Sequence, residues 1–374
     1  MAEPAPAARV PLRSVVLAGG GTAGHVNPLL AVADELRRRH PDLHVTVLGT
    51  AEGLEAELVP ARGYPLVTVP RVPLPRRPTL DWFRLPGRLR RAVAVAREAT
   101  RDAQAVVGFG GYVATPAYLA ARGRVPVVIH EQNARPGLAN RLGARWAAAV
   151  AVTFAGTPLR GATTTGLPLR PPVAALAHAR ERDAAGARRT AAEALGLDPS
   201  ATTLLVTGGS LGALSLNRAL SAAAPDLVAA GVQVLHLTGA GKDGPVRDAV
   251  AGRAGYHVLP YLADMHHALA VADLVVCRAG AGTVSELAAL GIPAVYVPLP
   301  VGNGEQRLNA QPVVAAGGGL LVPDARLDAD WVRAELVPLL ADRGRLETMA
   351  TAARSAGTTD GAARVADLVE RVAR

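Results

Sequence analysis

The sequence predicts an α/β fold of two Rossmann-like, doubly wound domains that face a cleft. Three observations carry that prediction. Residues 14–18 form a short apolar run that enters a glycine turn, Gly19-Gly-Gly-Thr-Ala-Gly24, and then a helix-spaced set, Leu29, Leu30, Val32 and Leu36. The same unit recurs as residues 203–207, the turn Gly208-Gly-Ser-Leu-Gly-Ala213 and the helical pair Leu216 and Leu220. After each opening, strand-like runs alternate with helical ones, the order that builds parallel sheets covered by helices on both faces.

Taken in order, the strand-like runs of the first half are 14–18, 44–48, 105–108, 125–129 and 149–153, and those of the second are 203–207, 232–237, 257–259, 274–277 and 294–297. The hinge is expected near Gly166-Leu-Pro-Leu-Arg-Pro-Pro172, where proline density interrupts regular structure. Residues 178–190, charged and rich in Ala and Arg, follow as a surface loop or helix. A chain of 374 residues suits two domains of ordinary size, and a composition half hydrophobic and 19% charged removes global disorder.

Composition narrows the function classes. The opening residues lack the basic-then-apolar order of a secretory signal, and no unbroken apolar run reaches the roughly 18 residues of a membrane span. A cytoplasmic protein is expected. The single cysteine, Cys277, has no intrachain partner, and no Cys/His spacing suggests zinc. The formal charge is +9, but every basic residue except Lys242 is arginine amid abundant Ala and Gly, a pattern of codon bias, so where charge concentrates matters more than its sum. With 3% aromatic residues there are few platforms for stacking bases, and a nucleic-acid partner is not expected.

Gly19, Gly21 and Gly24 satisfy G-x-G-x-x-G, whose glycines let backbone approach a pyrophosphate at a helix N-terminus. A nicotinamide fingerprint also wants an acid at the tip of the second strand, which here ends Leu48-Gly-Thr50 with Glu52 arriving late. No G-x-x-x-x-G-K-[ST] occurs, which removes P-loop chemistry. His25 follows the glycines directly and is expected at the mouth of the cleft; the plainer alternative is a helix-start histidine bonded to a carbonyl. The second constellation is Gly108-Phe-Gly-Gly-Tyr112 with His130-Glu-Gln-Asn133, polar residues at a strand end expected to point into the ligand crevice, unless the loop bonds to itself.

The third runs Asp273-Leu-Val-Val-Cys-Arg278 and Ala279-Gly-Ala-Gly-Thr283 to Glu286, a candidate anion seat before a helix. Glu286 is either a capping-box glutamate three residues after Thr283 or a ligand for a ribose diol. Gly302-Asn-Gly-Glu-Gln-Arg-Leu-Asn309 adds a polar loop suited to reading hydroxyls. The literal D-x-D, Asp328-Ala-Asp330, lies before a helix away from every glycine loop and reads as helix-start charge, so no metal is expected.

In this order, the stretches Gly19 to Pro28, Gly110 to Val113, His130 to Asn133, Gly208 to Ala213, Cys277 to Glu286 and Glu305 to Ala310 resemble the MurG family of UDP-N-acetylglucosamine transferases, over nearly the whole chain from about residue 13. The resemblance implies a GT-B fold with an N-terminal acceptor and membrane-side domain at 12–168, a donor domain at 169–356 and a C-terminal helix, about 357–374, packing back on the first. It implies an inverting, metal-independent transfer without cofactor, from UDP-GlcNAc to the 4-hydroxyl of the muramoyl sugar on an undecaprenyl-linked peptidoglycan precursor. The alternative is a GT-B transferase acting on a diacylglycerol or soluble acceptor.

Carried over by position, Thr22, Ala23, Gly24 and Asn133 face the donor sugar and diphosphate, Arg170 and Ser210 the nucleotide, Leu262 the uracil, Glu286 the ribose and Gln306 the sugar hydroxyls. Ala281, Gly282, Thr283, Val284 and Ser285 line the diphosphate seat. His25, with Tyr112 and Glu131, falls where the acceptor reacts; His25 is the first candidate base and Glu131 the second. The chain departs from the family pattern at Ala23, often Gly, at Gly282, often apolar, and at Glu305, Gln in some members.

Between residues 71 and 97 eight arginines face one acid, Asp81, and Leu80, Trp82, Phe83, Leu85 and Leu89 interleave with them. That is the composition of a peripheral anchor for an anionic membrane, with Arg84, Arg88, Arg90 and Arg91 at its centre; the alternative is a solvated basic face. The family resemblance implies that the anchor lies on the cytoplasmic face of the plasma membrane, where the lipid acceptor is reached.

Overall fold

The structure is a computed structural model that describes residues 11–72 and 81–373, apart from the side chains of 81–84. The chain divides into two compact units, Met1–Arg170 together with Asp360–Arg374, and Pro171–Thr359.

The first unit is built on β1 (Ser14–Ala18), β2 (His44–Gly49), β3 (Leu66–Thr68), β4 (Ala105–Gly108), β5 (Val127–Glu131), β6 (Ala149–Val152) and β7 (Ala162–Thr164). They form one sheet in the order β3-β2-β1-β4-β5-β6-β7, every pair parallel. Val15 and Leu17 enter one hydrophobic cluster while Val16 and Ala18 enter another, as the two-residue period of a strand covered on both faces requires. The final helix, Gly361–Val372, buries Val365, Ala366, Leu368 and Val369 in this core. Arg39 of the helix Ala23–Arg39 ties it down, donating to Asp367 at 2.7 Å and to the Ala363 carbonyl at 3.1 Å.

The second unit repeats the plan with β8 (Thr203–Thr207), β9 (Gln233–Leu237), β10 (Tyr256–Leu259), β11 (Leu274–Cys277), β12 (Ala294–Tyr296) and β13 (Gly319–Leu321), in the order β10-β9-β8-β11-β12-β13, again all parallel. In both sheets the chain reverses direction across the sheet beside its first strand, between β1 and β4 and between β8 and β11. Ligands of open α/β sheets sit at the carboxyl ends of such strands.

Three differences from the sequence reading have local causes. Pro126 has no N–H for a ladder, so β5 starts at Val127 and ends at Glu131, two residues later than expected, which draws His130 and Glu131 into register with Ala151 and Val152. The prolines at 171 and 172 do not interrupt an element; they open the helix Pro171–Leu195, where a missing N–H costs nothing. That helix kinks at Asp183 (φ −154°, ψ 85°), whose carboxylate accepts the Gly186 N–H at 2.8 Å and restarts it. The edge strands β3, β7 and β13 have three residues each, too few to leave an alternating pattern.

Candidate active site

At the first switch point the loop after β1 turns through Gly21 (φ +87°) into the helix Ala23–Arg39. Thr22 is the N-cap but makes no side-chain cap; its hydroxyl lies 3.1 Å from Nδ1 of His25, in the first turn. The loop after β4 presses in from the side: a Cβ on Gly111 (φ +78°) would stand 2.5 Å from the Gly20 carbonyl, and one on Gly110 would stand 3.2 Å from the His25 ring and 3.4 Å from the Asn140 amide. His25 is thus held against backbone, half-buried. Burial keeps its imidazole below the ordinary histidine range, opposed by a hydrogen bond to the Gly20 carbonyl and by the Glu55 carboxylate. Thr22 and Gly24 are exposed, Ala23 half-buried, and Tyr112, 41% exposed, stands with the Arg71 guanidinium 5.0 Å from its ring centre.

The polar residues ending β5 are turned inward. His130, Glu131 and Gln132 are 0%, 2% and 2% exposed. His130 meets the Gly166 carbonyl through Nε2 at 3.1 Å, and burial lowers its pKa to about 4, so it is neutral. The Glu131 carboxylate accepts the N–H groups of Asn133 and Gly137 at 3.0 Å each and the Asn140 amide at 2.9 Å, and Asn133 adds its side chain. Tyr118 donates to Asn140 at 2.6 Å and closes the set. The expectation of a polar block aimed into a crevice is corrected: the segment bonds to itself, because β5 runs two residues further than its apolar pattern. Glu131 is a saturated acceptor that pins residues 133–140, with no open edge for a substrate hydroxyl, whereas Asn133 is half-exposed.

In the second unit the loop after β8 carries Ser210, exposed, and Gly209, whose N–H meets the Thr207 hydroxyl at 3.2 Å. After β11 the helix Ala281–Leu290 has Gly280 as N-cap, so Ala281, Gly282 and Thr283 hold its first three N–H groups. Val284 departs from the expected diphosphate seat: its N–H donates to the Gly280 carbonyl at 3.0 Å and its side chain is fully buried. Ser285 is half-buried one residue further into the helix. Because the helix starts at Ala281, Thr283 is not its cap, and Glu286, half-exposed in the second turn, is no capping-box residue. Leu262, half-buried, follows β10, and Arg170, half-buried, ends the first unit.

Gln306 is fixed by its own backbone neighbours: Oε1 accepts the N–H of Leu299 at 2.9 Å and of Ala279 at 3.2 Å, which leaves its amide nitrogen as the end that can read a hydroxyl. Two further residues shape these loops without standing out in the sequence. Asn309, fully buried, donates to the Ala279 carbonyl at 3.3 Å. Arg278 bonds Asp324 at 2.5 Å, Ser215 at 3.0 Å and the Val297 carbonyl at 3.1 Å, tying together the segments that follow four strands. Their signal was position alone, a charge or an amide directly beside a glycine run.

Asp328 accepts the Trp331 N–H at 2.8 Å as a helix cap and Asp330 pairs with Arg333 at 2.5 Å, so the D-x-D is spent on local structure. Among the described residues no group of His, Cys, Asp or Glu is disposed to hold a metal, and no helix is long and apolar enough to cross a membrane.

The basic segment contains the helix Asp81–Ala99. Arg90 and Arg91 are exposed and Arg88 half-buried; the Arg84 side chain, like Trp82, Phe83 and residues 73–80, lies outside the described residues. Leu85 and Leu89 pack partly against the core under this helix, so they are not free to enter a bilayer. Pro86, Leu89, Arg90, Val93, Arg97 and Arg124 line a groove of about 720 Å³.

Residues 15–152 match the model of the glycosyltransferase family 28 N-terminal domain and residues 203–368 that of the C-terminal domain. A protein of Clavibacter sepedonicus described as a UDP-N-acetylglucosamine--N-acetylmuramyl-(pentapeptide) pyrophosphoryl-undecaprenol N-acetylglucosamine transferase is 57% identical over 358 residues, 95% of each chain. One of Paenarthrobacter aurescens with the same description is 54% identical over 362 residues, again 95% of each chain. The crystal structure of MurG from Acinetobacter baumannii matches with a TM-score of 0.76 and 29% identity, covering 96% of this chain and 99% of that one.

Proposed function

The chain belongs to the MurG family and is a glycosyltransferase of GT-B fold, and from that premise we propose that it moves N-acetylglucosamine from UDP-N-acetylglucosamine to the 4-hydroxyl of the muramoyl sugar of the undecaprenyl-pyrophosphoryl peptidoglycan precursor, with inversion and without a metal. The observation that carries the reading is identity to transferases of that description along nearly the full length of both chains.

The first unit takes the acceptor and His25 takes its proton. A base must be neutral to accept a proton, and burial favours the neutral imidazole near pH 7. The acceptor oxygen bonds to the anomeric carbon while the bond from that carbon to the diphosphate oxygen breaks. The electron pair leaves with UDP and the proton passes to His25. Glu131 acts only through residues 133–140, and Tyr112 offers an exposed ring under the Arg71 guanidinium.

The second unit takes the donor. The free N–H groups of Ala281, Gly282 and Thr283, with Arg170, receive the charge that builds on the diphosphate, as preorganised donors do in an oxyanion hole. Glu286 holds the ribose diol, Leu262 packs on the uracil and Ser210 bonds the nucleotide. The Gln306 amide reads the hydroxyls of the transferred sugar, and in the first unit Thr22, Ala23, Gly24 and Asn133 are the groups assigned to the donor sugar by position.

We assign the enzyme to the cytoplasmic face of the plasma membrane as a peripheral protein, held by the exposed arginines of the helix Asp81–Ala99 on anionic lipid, where each basic residue near the surface contributes about 1 kcal/mol. The deciding experiment offers UDP-N-acetylglucosamine and a short-chain analogue of the lipid acceptor, singly and together, and measures UDP. Release with both and with neither alone is expected; release from the donor alone overturns transfer to this acceptor.

A further inference from the structure

Glu55 has no part in the chemistry above, yet it is built into the loop that carries His25. It opens the helix Glu55–Ala61 beyond β2 and is 0% exposed. One carboxylate oxygen accepts the Gly21 N–H at 2.8 Å; the other accepts the Thr50 N–H at 2.9 Å and the Thr50 hydroxyl at 2.7 Å. Three glycines make the room: a Cβ on Gly20 or Gly53 would collide with the carboxylate oxygens, and one on Gly49 with its Cγ. A buried charge persists only when paired this fully. Burial pushes the carboxyl up, but the Gly21 and Thr50 donors outweigh it and hold the pKa below the ordinary carboxylate range. Glu55 is therefore an anion at neutral pH.

We propose that Glu55 is a positioning residue for the transfer: through the Gly21 N–H it fixes the turn that seats His25 against Gly110, and it presents a full negative charge to the imidazole. The proposal rests on the base role of His25 given above. The other groups placed against His25 are neutral, namely the Thr22 hydroxyl, the Gly20 carbonyl and the Gly110 backbone; on the far side of Gly110 the Asn140 amide is bonded to Glu131. As the acceptor proton arrives, the imidazolium that forms lies in the field of Glu55 and is favoured by it. A ligand phosphate oxygen seeking the Gly21 N–H would have to displace a carboxylate, so the same residue closes that amide to anions.

In Glu55→Gln an amide nitrogen must face either the Gly21 N–H or the Thr50 donors, which breaks the lock and removes the charge together. Turnover is expected to fall about 10- to 100-fold with donor KM within about twofold, since a transition-state interaction is lost. Removing a charge that favours the cation lowers the imidazole pKa. The acid limb of kcat and the His25 NMR titration, assigned with His25→Gln, therefore move to lower pH by about half a unit or more. Parental turnover with an unmoved titration would overturn the proposal, while parental turnover in His25→Ala would instead overturn the base assignment beneath it. Should Glu55→Gln fail to fold, Glu55→Asp decides: its shorter arm keeps the charge but cannot span Gly21 and Thr50. Lost turnover with a retained titration supports positioning, and parental turnover overturns it.

Discussion

The two units share one sheet order, yet the glycine loops at their switch points rest on different groups, a buried carboxylate in the first and a neutral hydroxyl in the second. Behind the first, Gly21 gives its N–H to the buried Glu55 carboxylate. Behind the second, the Gly209 N–H meets the neutral Thr207 hydroxyl, and the Arg278 of the next loop is already paired with Asp324. Two like charges about 4 Å apart cost about 4 kcal/mol at an effective dielectric of 20, enough to keep a diphosphate off Gly21. The first loop has its Gly21 N–H taken by an anion, whereas the second has, among the described residues, no carboxylate on Gly209. Topology supplies a glycine turn at a strand end; the side chains behind the turn decide what it holds.

The sharpest way to break that contrast is His25→Ala. Turnover on the acceptor analogue is expected to fall roughly 100-fold or more with donor affinity intact, as for loss of a general base. Donor titration and steady-state kinetics check it; a defect confined to donor binding would move His25 to the donor side. The parent should also show its acid limb in kcat below about pH 6.5, the ordinary histidine value, because burial lowers the His25 pKa and the neutral base survives to lower pH.

Glu131→Gln sharpens the contrast within the first unit. One amide nitrogen must now face backbone N–H groups, so stability should drop by about 1 to 3 kcal/mol in chemical denaturation, with the acid limb of kcat unmoved. Unchanged stability with a 100-fold loss of turnover would restore Glu131 as the base.

On the donor side Glu286→Ala should raise donor KM about tenfold, worth roughly 1.4 kcal/mol, with little change in turnover, because a ribose contact is shared by ground and transition states. A loss in turnover alone would sink the ribose assignment.

The smallest effect on rate is expected from replacing Arg84, Arg88, Arg90 and Arg91 by Gln together. Binding to anionic vesicles should fall while the rate on a soluble acceptor stays parental, and sedimentation at low and high salt checks both. Mutant and parent binding equally at low salt would remove the helix as anchor.

The glycine-loop residues were legible for a local reason. Gly19 to Gly24 and Gly208 to Ala213 each follow a continuous apolar run and precede helical spacing, and such strand, turn and helix signals lie within one short window. His25 was legible as a polar residue placed directly after the first of those turns, whereas Tyr112 and Gln306 were singled out within their loops only through the family resemblance. The inward set of His130, Glu131 and Gln132 was not legible, since their burial follows from where β5 stops, and that depends on pairing with β6.

By itself the sequence determined the doubly wound α/β class, the repeated opening unit and the two switch-point loops, because each is written in the spacing of neighbouring residues. Only the tertiary structure decided which polar groups those loops meet. Glu55 reaches Gly21 across 34 positions, and nothing in the local pattern of the helix Glu55–Ala61 marks a residue that will be 0% exposed. Val284 and Glu286 likewise took their places only when the helix began at Ala281, capped by Gly280 rather than by Thr283. Hydrogen-bond partners distant in sequence are chosen by packing, which costs a buried charge dearly unless every donor around it is in place.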